Sequence, residues 1–225
     1  MTITIHRDLI QGSEEWLAAR CGLLTASEMR LVLTPKLQLA ANDKSRAHYW
    51  ELLSQRITGH VEPSYVSDDM LRGQGDEILA RSLYAEHRAP VDEVGFVTND
   101  AWGFTLGCSP DGLVGDDGMI ECKSRRQRFQ VETLLTGKVP DEYVLQCQTA
   151  LLVTDRKWLD FVSYSGGLPM AVIRVLPDGA VRKAILNAAE MAEGWLAVQM
   201  ERYAALPAEW VAIKTERTIE EEMRV

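Results

Sequence analysis

The stretch from Trp102 to Ser124 constrains the fold most strongly, because it places two β-rich segments on either side of a tight turn. It reads WGFTLGCSPDGLVGDDGMIECKS, and its central tetrad GDDG is typical of a β-hairpin turn. Since the turn centre falls within this tetrad, Asp111 is expected almost opposite Glu121. Cross-strand neighbours have Cβ atoms about 4.5–5.5 Å apart, so the hairpin predicts two carboxylates able to meet on one cation.

Two further groups on the second arm of the hairpin complete a metal-type pattern. Glu121 and Lys123 are two residues apart and so point to the same face, whereas Cys122 points into the core with its carbonyl beside the carboxylates. These hard oxygen donors suit Mg²⁺ or Mn²⁺ better than zinc. Lys123 is expected to orient or deprotonate a metal-bound water, with a pKa lowered by the cation. The pattern favours metal-assisted hydrolysis of a phosphodiester; an ordinary charged hairpin is the alternative for so short a motif.

A candidate anion site precedes this hairpin. Thr25-Ala-Ser-Glu28 matches a capping box at the start of a helix that begins near Met29. Ser27 is expected among the free amides at the positive end of that helix, and Arg20 lies a turn and a half upstream. Arg20 and Ser27 together indicate a phosphate clamp; an ordinary cap beside a surface arginine is the other interpretation.

The helix predicted from Asp68 to His87 carries a third acid of interest. Gly73 and Gly75 each cost about 1 kcal/mol relative to alanine inside a helix, which indicates a break or a close backbone approach. Glu77 follows directly, one residue off the apolar stripe. By its own pattern, Glu77 is typical of a solvated helical glutamate.

The order of the predicted elements indicates an α/β (α+β) fold with a mixed sheet. Strands are expected over Val91 to Val97, Ala101 to Cys108, Trp158 to Tyr164 and Met170 to Leu176, and helices over Ser45 to Thr58, Asp141 to Val153 and Val181 to about Leu206. With 225 residues and 46% hydrophobic content, residues 1–225 are expected to form one domain around a sizeable core. Residues 207–225 have weak pattern and are expected to form a peripheral tail.

The charge is uneven along the chain. A net charge of −9 taken alone counts against a polyanionic partner. However, Lys123, Arg125, Arg126 and Arg128 form a run without an acid, so an acidic average can conceal a basic patch.

The sequence also carries indications of its compartment. The start of the chain lacks the apolar core of a signal peptide, and no run reaches the about 18 apolar residues of a membrane span. The four cysteines form no C-x-x-C pair, which fits a reduced cytoplasmic protein better than a disulfide framework or a zinc site.

Five motifs, in order and at similar spacing, resemble the lambda exonuclease (YqaJ-like) branch of the PD-(D/E)xK nucleases. They are Arg20-Cys-Gly-Leu-Leu-Thr-Ala-Ser-Glu28, Arg72-Gly-Gln-Gly-Asp-Glu77, Cys108-Ser-Pro-Asp-Gly-Leu113, Glu121-Cys-Lys123 and Tyr143-Val-Leu-Gln-Cys-Gln148. Together they cover most of the range from Trp16 to Val153. The resemblance implies a restriction-endonuclease-like core, with a mixed central β-sheet flanked by α-helices.

The resemblance also implies a role for each site residue. Asp111, Glu121 and the Cys122 carbonyl would hold Mg²⁺, for which Mn²⁺ is expected to substitute, and Glu77 would face the metal. Lys123 would handle the attacking water, and Gln146 would place that water or the scissile phosphate. Arg20, Ser27 and Ser109 would bind a terminal 5′-phosphate, and Arg125, Arg126 and Arg128 would contact the DNA backbone.

At the level of the whole protein, the resemblance implies a 5′→3′ exonuclease that degrades one strand of linear double-stranded DNA. The 3′ single strand that remains would serve recombination by a single-strand annealing protein. The family further implies a homotrimer, a phage or prophage origin and the cytoplasm of a bacterial host, with no membrane partner. A ring-shaped homotrimer with a basic lumen would reconcile the acidic net charge with DNA binding.

Three alternatives remain open at this stage. A restriction-like endonuclease would use the same fold. A catalytically silent DNA-end-binding protein is another possibility, although intact Asp111, Glu121 and Lys123 argue against it. Some nucleases of the wider superfamily carry an iron–sulfur cluster, but Cys21, Cys108, Cys122 and Cys147 are spaced too widely to favour one.

Overall fold

The computed structural model describes residues 2–62, 68–207, 209, 210, 213 and 215–217. Helices and strands follow in the order β1 (Ile3–His6), α1 (Glu14–Arg20), β2 (Leu24–Thr25), α2 (Met29–Val32), α3 (Asp43–Thr58), α4 (Asp68–His87), β3 (Phe96–Asn99), β4 (Leu106–Cys108), β5 (Gly112–Val114), β6 (Gly118–Ser124), α5 (Gln127–Thr136), α6 (Asp141–Thr154), β7 (Trp158–Tyr164), β8 (Ala171–Val175) and α7 (Gly179–Ala204). Much of the predicted tail lies outside the described residues, so its role stays a prediction.

The strands form two four-stranded sheets, ordered β1-β3-β4-β2 and β5-β6-β7-β8. Each sheet contains one parallel pair, β2 with β4 and β6 with β7, and its remaining pairs are antiparallel. The predicted α/β class with mixed strand directions is therefore confirmed, but the strands divide between two sheets. The break falls at Ser109–Asp111, where Pro110 has no amide hydrogen to continue a ladder.

The predicted hairpin forms from β5 and β6. Gly112 pairs with Ile120 and Val114 with Gly118, so extension of the register by one residue places Asp111 across from Glu121. Gly115 adopts a left-handed φ of 51° in the turn, which glycine tolerates without steric cost. The turn chemistry thus sets which two acids face each other.

Side chains of β6 alternate between two apolar clusters. Met119 joins the larger core, in which α6 and α7 contribute Leu151 and Ile185, whereas Ile120 and Cys122 pack against residues of α4. The prediction that the Cys122 side chain points into the core is confirmed, and Cys108 is buried as well. All four cysteines are free thiols.

Two predicted strands are shorter than expected. The segment from Val91 to Gly95 makes an isolated bridge between Asp92 and Leu113, and regular strand begins only at Phe96. Before β4, the Asn99 side chain accepts a hydrogen bond from the Ala101 amide at 3.0 Å, which favours a turn over a continued strand. The strands β1 and β2 were missed because they are short and their pattern is weak.

Helix α6 fits the expected range and is largely buried between the sheets and α7. Helix α3 begins two residues earlier than predicted, because Asn42 caps it by accepting from the Ser45 amide at 3.0 Å, and it ends at the left-handed Gly59. Among the described residues, no helix has the length and apolar character needed to cross a membrane.

A buried hydrogen bond ties α4 to the second sheet. The Tyr84 hydroxyl donates to Asp160 Oδ2 at 2.7 Å, and both residues are almost fully buried. Arg174 on β8 pairs with the same carboxylate. Burial and the neighbouring Asp160 raise the pKa of Tyr84, so the phenol stays a donor over the neutral range. Because α4 also carries Glu77, this bond fixes that helix relative to β6.

We expect Tyr84→Phe to lower the free energy of unfolding by about 1–3 kcal/mol, because a buried carboxylate loses one of its donors. Urea unfolding followed by circular dichroism measures the change. Tyr203→Phe is the matched control, since Tyr203 is exposed. Equal stabilities for the two variants would contradict the structural role given to Tyr84.

Candidate active site

A pocket of about 180 Å³ collects most of the residues that the sequence singled out. Its lining includes Arg20, Ser27, Glu77, Ser109, Asp111, Glu121, Lys123 and Gln146. They arrive from α1, the β2–α2 turn, α4, the β4–β5 segment, β6 and α6. The fold thus brings together side chains that lie up to 126 positions apart in the sequence, from Arg20 to Gln146.

Asp111 is held by the backbone of the opposite strand. Its Oδ2 accepts a hydrogen bond from the Cys122 amide at 2.6 Å. In an extended strand, the N–H and C=O of one residue point to the same side, so the Cys122 carbonyl is directed toward Asp111 as well. The ligand set of two carboxylates and one backbone oxygen stays a prediction.

Glu121 is buried and bound by two donors. Lys123 Nζ lies 2.6 Å from Glu121 Oε1, and the Gln146 amide nitrogen donates to the same oxygen. The Lys123 side chain is itself only 20% exposed. The predicted lysine and glutamine therefore both contact the predicted acid directly.

The crowding of acids changes their protonation. Burial raises the pKa of Glu121 to about 7, and the neighbouring Asp111 adds to the effect. Burial and the Asp111 charge likewise raise the pKa of Glu77 to about 7, and burial raises that of Asp111. Glu77 is thus part of the acid cluster, in contrast to the solvated glutamate that its own sequence pattern suggested.

The acids around Lys123 act on its protonation. Burial alone would lower its pKa, but Glu121, Asp111 and Glu77 together raise it above the usual value. The acids thus stabilise the charged form of the lysine, and the lowering expected from a bound cation stays a prediction.

The donor chemistry of this cluster fits a hard divalent cation. Among the described residues, no group of three His, Cys, Asp or Glu side chains could hold a metal ion by itself. The expected set differs in kind, because its third ligand is the Cys122 carbonyl. The buried Glu121 and the partly buried Asp111, both with raised pKa values, and a backbone carbonyl are oxygen ligands of the type that Mg²⁺ prefers.

The other part of the pocket is built around Arg20. Its guanidinium stacks 4.6 Å from the centroid of the Trp16 ring, and its Nη2 donates to Glu28 Oε1 at 2.7 Å. The Trp16 indole nitrogen donates to Ser109 Oγ at 2.9 Å. Arg20 and Ser109 are therefore linked through one aromatic side chain that also lines the pocket.

The capping box forms only in part. As a capping box predicts, the Glu28 carboxylate accepts a hydrogen bond from the Thr25 amide at 3.3 Å. The Thr25 hydroxyl, however, donates to the Glu28 carboxylate at 2.6 Å instead of accepting from the Glu28 amide. The helix that follows spans only Met29–Val32. A dipole of one turn is too small to support the expected helix-end anion site, so side chains must carry any anion binding here.

The basic run after β6 does not line the pocket. Arg125 is buried, pairs with Glu142 and donates to the Tyr143 hydroxyl at 3.0 Å. Its burial and ion pair do not fit the expected phosphate contact. Arg126 and Arg128 are exposed, and the Arg128 guanidinium lies 4.4 Å from the centroid of the Phe129 ring.

Several residues of the site escaped the sequence patterns. Gln11 and Phe96 line the pocket. Thr25, which also lines it, and Glu28, which binds Arg20 and Thr25, were indicated only as a capping box. One local pattern indicates the contact between Trp16 and Arg20. Their spacing of four residues puts an aromatic ring and a cation on the same face of a helix. Gln11 and Phe96 come from segments without any such pattern.

Comparisons with known proteins give the pocket a family context. A family model described as the YqaJ-like viral recombinase domain matches residues 15–157. The chain is similar to an alkaline exonuclease from Laribacter hongkongensis, with 35% identity and a TM-score of 0.75 over 86% of this chain and 98% of that chain. The structure of the same enzyme in complex with dAMP gives 37% identity and a TM-score of 0.76 over the same shares.

A more distant structure shares the fold alone. A phage-related exonuclease from Haemophilus somnus has 14% identity and a TM-score of 0.52, over 79% of this chain and 96% of that chain. No curated protein matches the chain. The family model covers more than half of the chain, including every pocket residue except Gln11. The chain therefore belongs to the YqaJ-like viral recombinase family.

Proposed function

We propose that the protein is a Mg²⁺-dependent exonuclease that degrades one strand of linear double-stranded DNA in the 5′→3′ direction from a 5′-phosphorylated end. The observation that carries the proposal is one pocket that joins the acid cluster and Lys123 to the group of Arg20, Ser27 and Ser109. The similar alkaline exonuclease binds dAMP, a nucleoside monophosphate with the kind of phosphate that ends such a strand. Membership of a family whose structural neighbours are exonucleases supports nuclease activity.

In this proposal, the two parts of the pocket hold two successive phosphates. Arg20, Ser27 and Ser109 bind the terminal 5′-phosphate and thereby set which phosphodiester meets the acid cluster. Water adds to that phosphorus and the P–O3′ bond breaks. A nucleoside 5′-monophosphate leaves, and the shortened strand carries a new 5′-phosphate for the next step.

Asp111, Glu121 and the Cys122 carbonyl would hold Mg²⁺, with Glu77 facing the same space and Mn²⁺ as a substitute. When bound, the cation supplies positive charge that stabilises the phosphoryl group during attack. Lys123 and Gln146 both bind Glu121 and hold it in place. In this proposal they also donate to the attacking water or to an oxygen of the scissile phosphate. Preorganised donors of this kind favour the transition state.

The direct test is digestion of 5′-phosphorylated linear duplex in the presence of Mg²⁺. We expect release of mononucleotides, no cleavage of closed circular plasmid, and loss of activity on chelation. Lys123→Ala should reduce the rate by at least about 10²-fold with DNA binding retained, because it removes a donor from the site. Lys157→Ala, at an exposed lysine of the same sheet region, is the matched control.

The outcomes separate the alternatives. Cleavage of the closed circle would indicate a restriction-like endonuclease. Binding of DNA ends without any product would indicate a catalytically silent end-binding protein.

The anchor role of Arg20 makes a separate prediction. We expect Arg20→Ala to lose the preference for 5′-phosphate over 5′-hydroxyl ends by about 10–100-fold, since hydrogen bonds to charged groups contribute about 1.5–3 kcal/mol. The ratio of kcat/KM for the two kinds of end measures this preference. Arg46→Ala, at an exposed arginine paired with Asp43, should leave the ratio unchanged. An unchanged ratio in Arg20→Ala would refute the assignment.

The raised pKa values of the acids predict how stability depends on pH. Between about pH 4.5 and 7, the folded metal-free protein binds more protons than the unfolded chain, because the pKa of Glu121 and that of Glu77 are raised to about 7. Stability therefore falls as pH rises through this window. Thermal unfolding of the metal-free protein should show this slope, and Glu121→Gln should flatten it. Glu86→Gln, at an exposed glutamate, is the control. If stability falls with pH as steeply in Glu121→Gln as in the natural protein, the raised pKa assigned to Glu121 is wrong.

The assembly and cellular role rest on family resemblance. We propose a homotrimer that hands 3′ single-stranded DNA to a single-strand annealing protein during phage or prophage recombination in the bacterial cytoplasm. Exposed Arg126 and Arg128 would contact the DNA backbone in such an assembly. Arg125 serves the packing of α6 instead, since it is buried against Glu142 and Tyr143.

A further inference from the structure

We propose that Glu28 is a positioning residue that weakens the grip of the pocket on a terminal phosphate, so that the mononucleotide product can leave. The inference rests on the proposed function, because it takes Arg20 and Ser27 as the phosphate anchor. Glu28 does not line the pocket but lies behind two residues that do. It therefore acts through Arg20 and Thr25.

The contacts of Glu28 are specific. Its Oε1 accepts from Arg20 Nη2 at 2.7 Å, and its Oε2 accepts from the Thr25 hydroxyl at 2.6 Å and from the Thr25 amide at 3.3 Å. The side chains of Arg20 and Glu28 are 21% and 24% exposed, so water screens the pair only in part. One carboxylate thus binds both the cation and a hydroxyl of the pocket wall.

The hydrogen bond between Thr25 and Ser27 has only one possible direction. Thr25 has one hydroxyl hydrogen, and it must point to Glu28 because a carboxylate only accepts. Arg20 Nη2 also donates to Thr25 Oγ1, at 3.4 Å. Ser27 Oγ lies 3.3 Å from the same oxygen, so Ser27 is the donor in that contact. The Ser27 hydrogen therefore points at Thr25 and away from a phosphate, which can only accept.

Glu28 opposes phosphate binding in two ways. It neutralises the Arg20 guanidinium, so the anchor binds an anion through hydrogen bonds with little net charge. It also keeps Thr25 as an acceptor, which holds the Ser27 hydrogen. In the proposed reaction, the 5′-phosphate of the released nucleotide is the group that sits in this anchor. A weak anchor therefore favours release of product after each step.

The test is Glu28→Gln, which keeps the shape and the oxygen that accepts from Arg20. The new side-chain amide at position 28 would donate to the Thr25 hydroxyl oxygen. The Thr25 hydroxyl would then donate to the Ser27 hydroxyl oxygen, and the Ser27 hydroxyl would be free to donate to a phosphate. We expect the variant to bind dAMP about tenfold more tightly by calorimetry, with unchanged binding of deoxyadenosine. In turnover, both KM and kcat should fall. Glu86→Gln is the control with an exposed glutamate.

The outcomes distinguish this inference from the proposed function. If the Arg20→Ala variant binds dAMP as tightly as the natural protein does, the assignment of the phosphate anchor is wrong. If Arg20→Ala weakens dAMP binding but Glu28→Gln does not strengthen it, the role of Glu28 is wrong. Weaker dAMP binding with a raised KM in Glu28→Gln would show that the carboxylate only supports the fold.

A second variant covers poor folding of Glu28→Gln. Thr25→Val keeps the shape of Thr25 but removes the oxygen that holds the Ser27 hydrogen. We expect it to bind dAMP a few-fold more tightly, and unchanged or weaker binding would overturn the inference.

Discussion

The crowding of three carboxylates around one lysine is the constraint on which the pocket depends. Glu121 is buried and pairs directly with Lys123, and Asp111 and Glu77 are half-buried beside them, where their charges act on the same lysine. Such a cluster opposes folding unless its charges are compensated, and a buried charge without a partner is costly. The large apolar core behind α6 and the bond from α4 to β7 hold the acids in place against their repulsion. Stability of the surrounding fold thus maintains a site that is itself unfavourable, which is common where chemistry needs perturbed groups.

The two parts of the pocket differ in how charge is handled. In the acid cluster, negative charge exceeds positive charge, so the site favours a cation. Around Arg20, the cation and the Glu28 carboxylate balance each other. The two environments are close together, because Pro110 alone separates Ser109 from Asp111 in the chain.

Local sequence predicted the hairpin well, because turn residues and strand alternation act over few positions. The placing of Asp111 opposite Glu121 follows from the GDDG turn, and the opposite facing of Cys122 follows from the strand period. Motif resemblance added Glu77 and Gln146, whose own patterns say little. What local sequence could not predict depends on packing between distant elements. Arg125 is buried because it contacts Glu142 and Tyr143 of α6, which the sequence around Arg125 does not reveal. Lys123 has a raised pKa because acids from three segments surround it, which its neighbours in the sequence do not reveal either.

Cys122 shows how one residue can serve two unrelated purposes. Its side chain packs in the cluster with Ala80, Tyr84 and Val162, while its amide donates to Asp111. The thiol is buried on the side of the strand away from the pocket residues Glu121 and Lys123. Substitution by another small apolar residue would preserve the amide that holds Asp111, whereas a larger side chain would displace the strand and with it that hydrogen bond. The side chain between the glutamate and the lysine therefore does not have to be a thiol, but it has to be small.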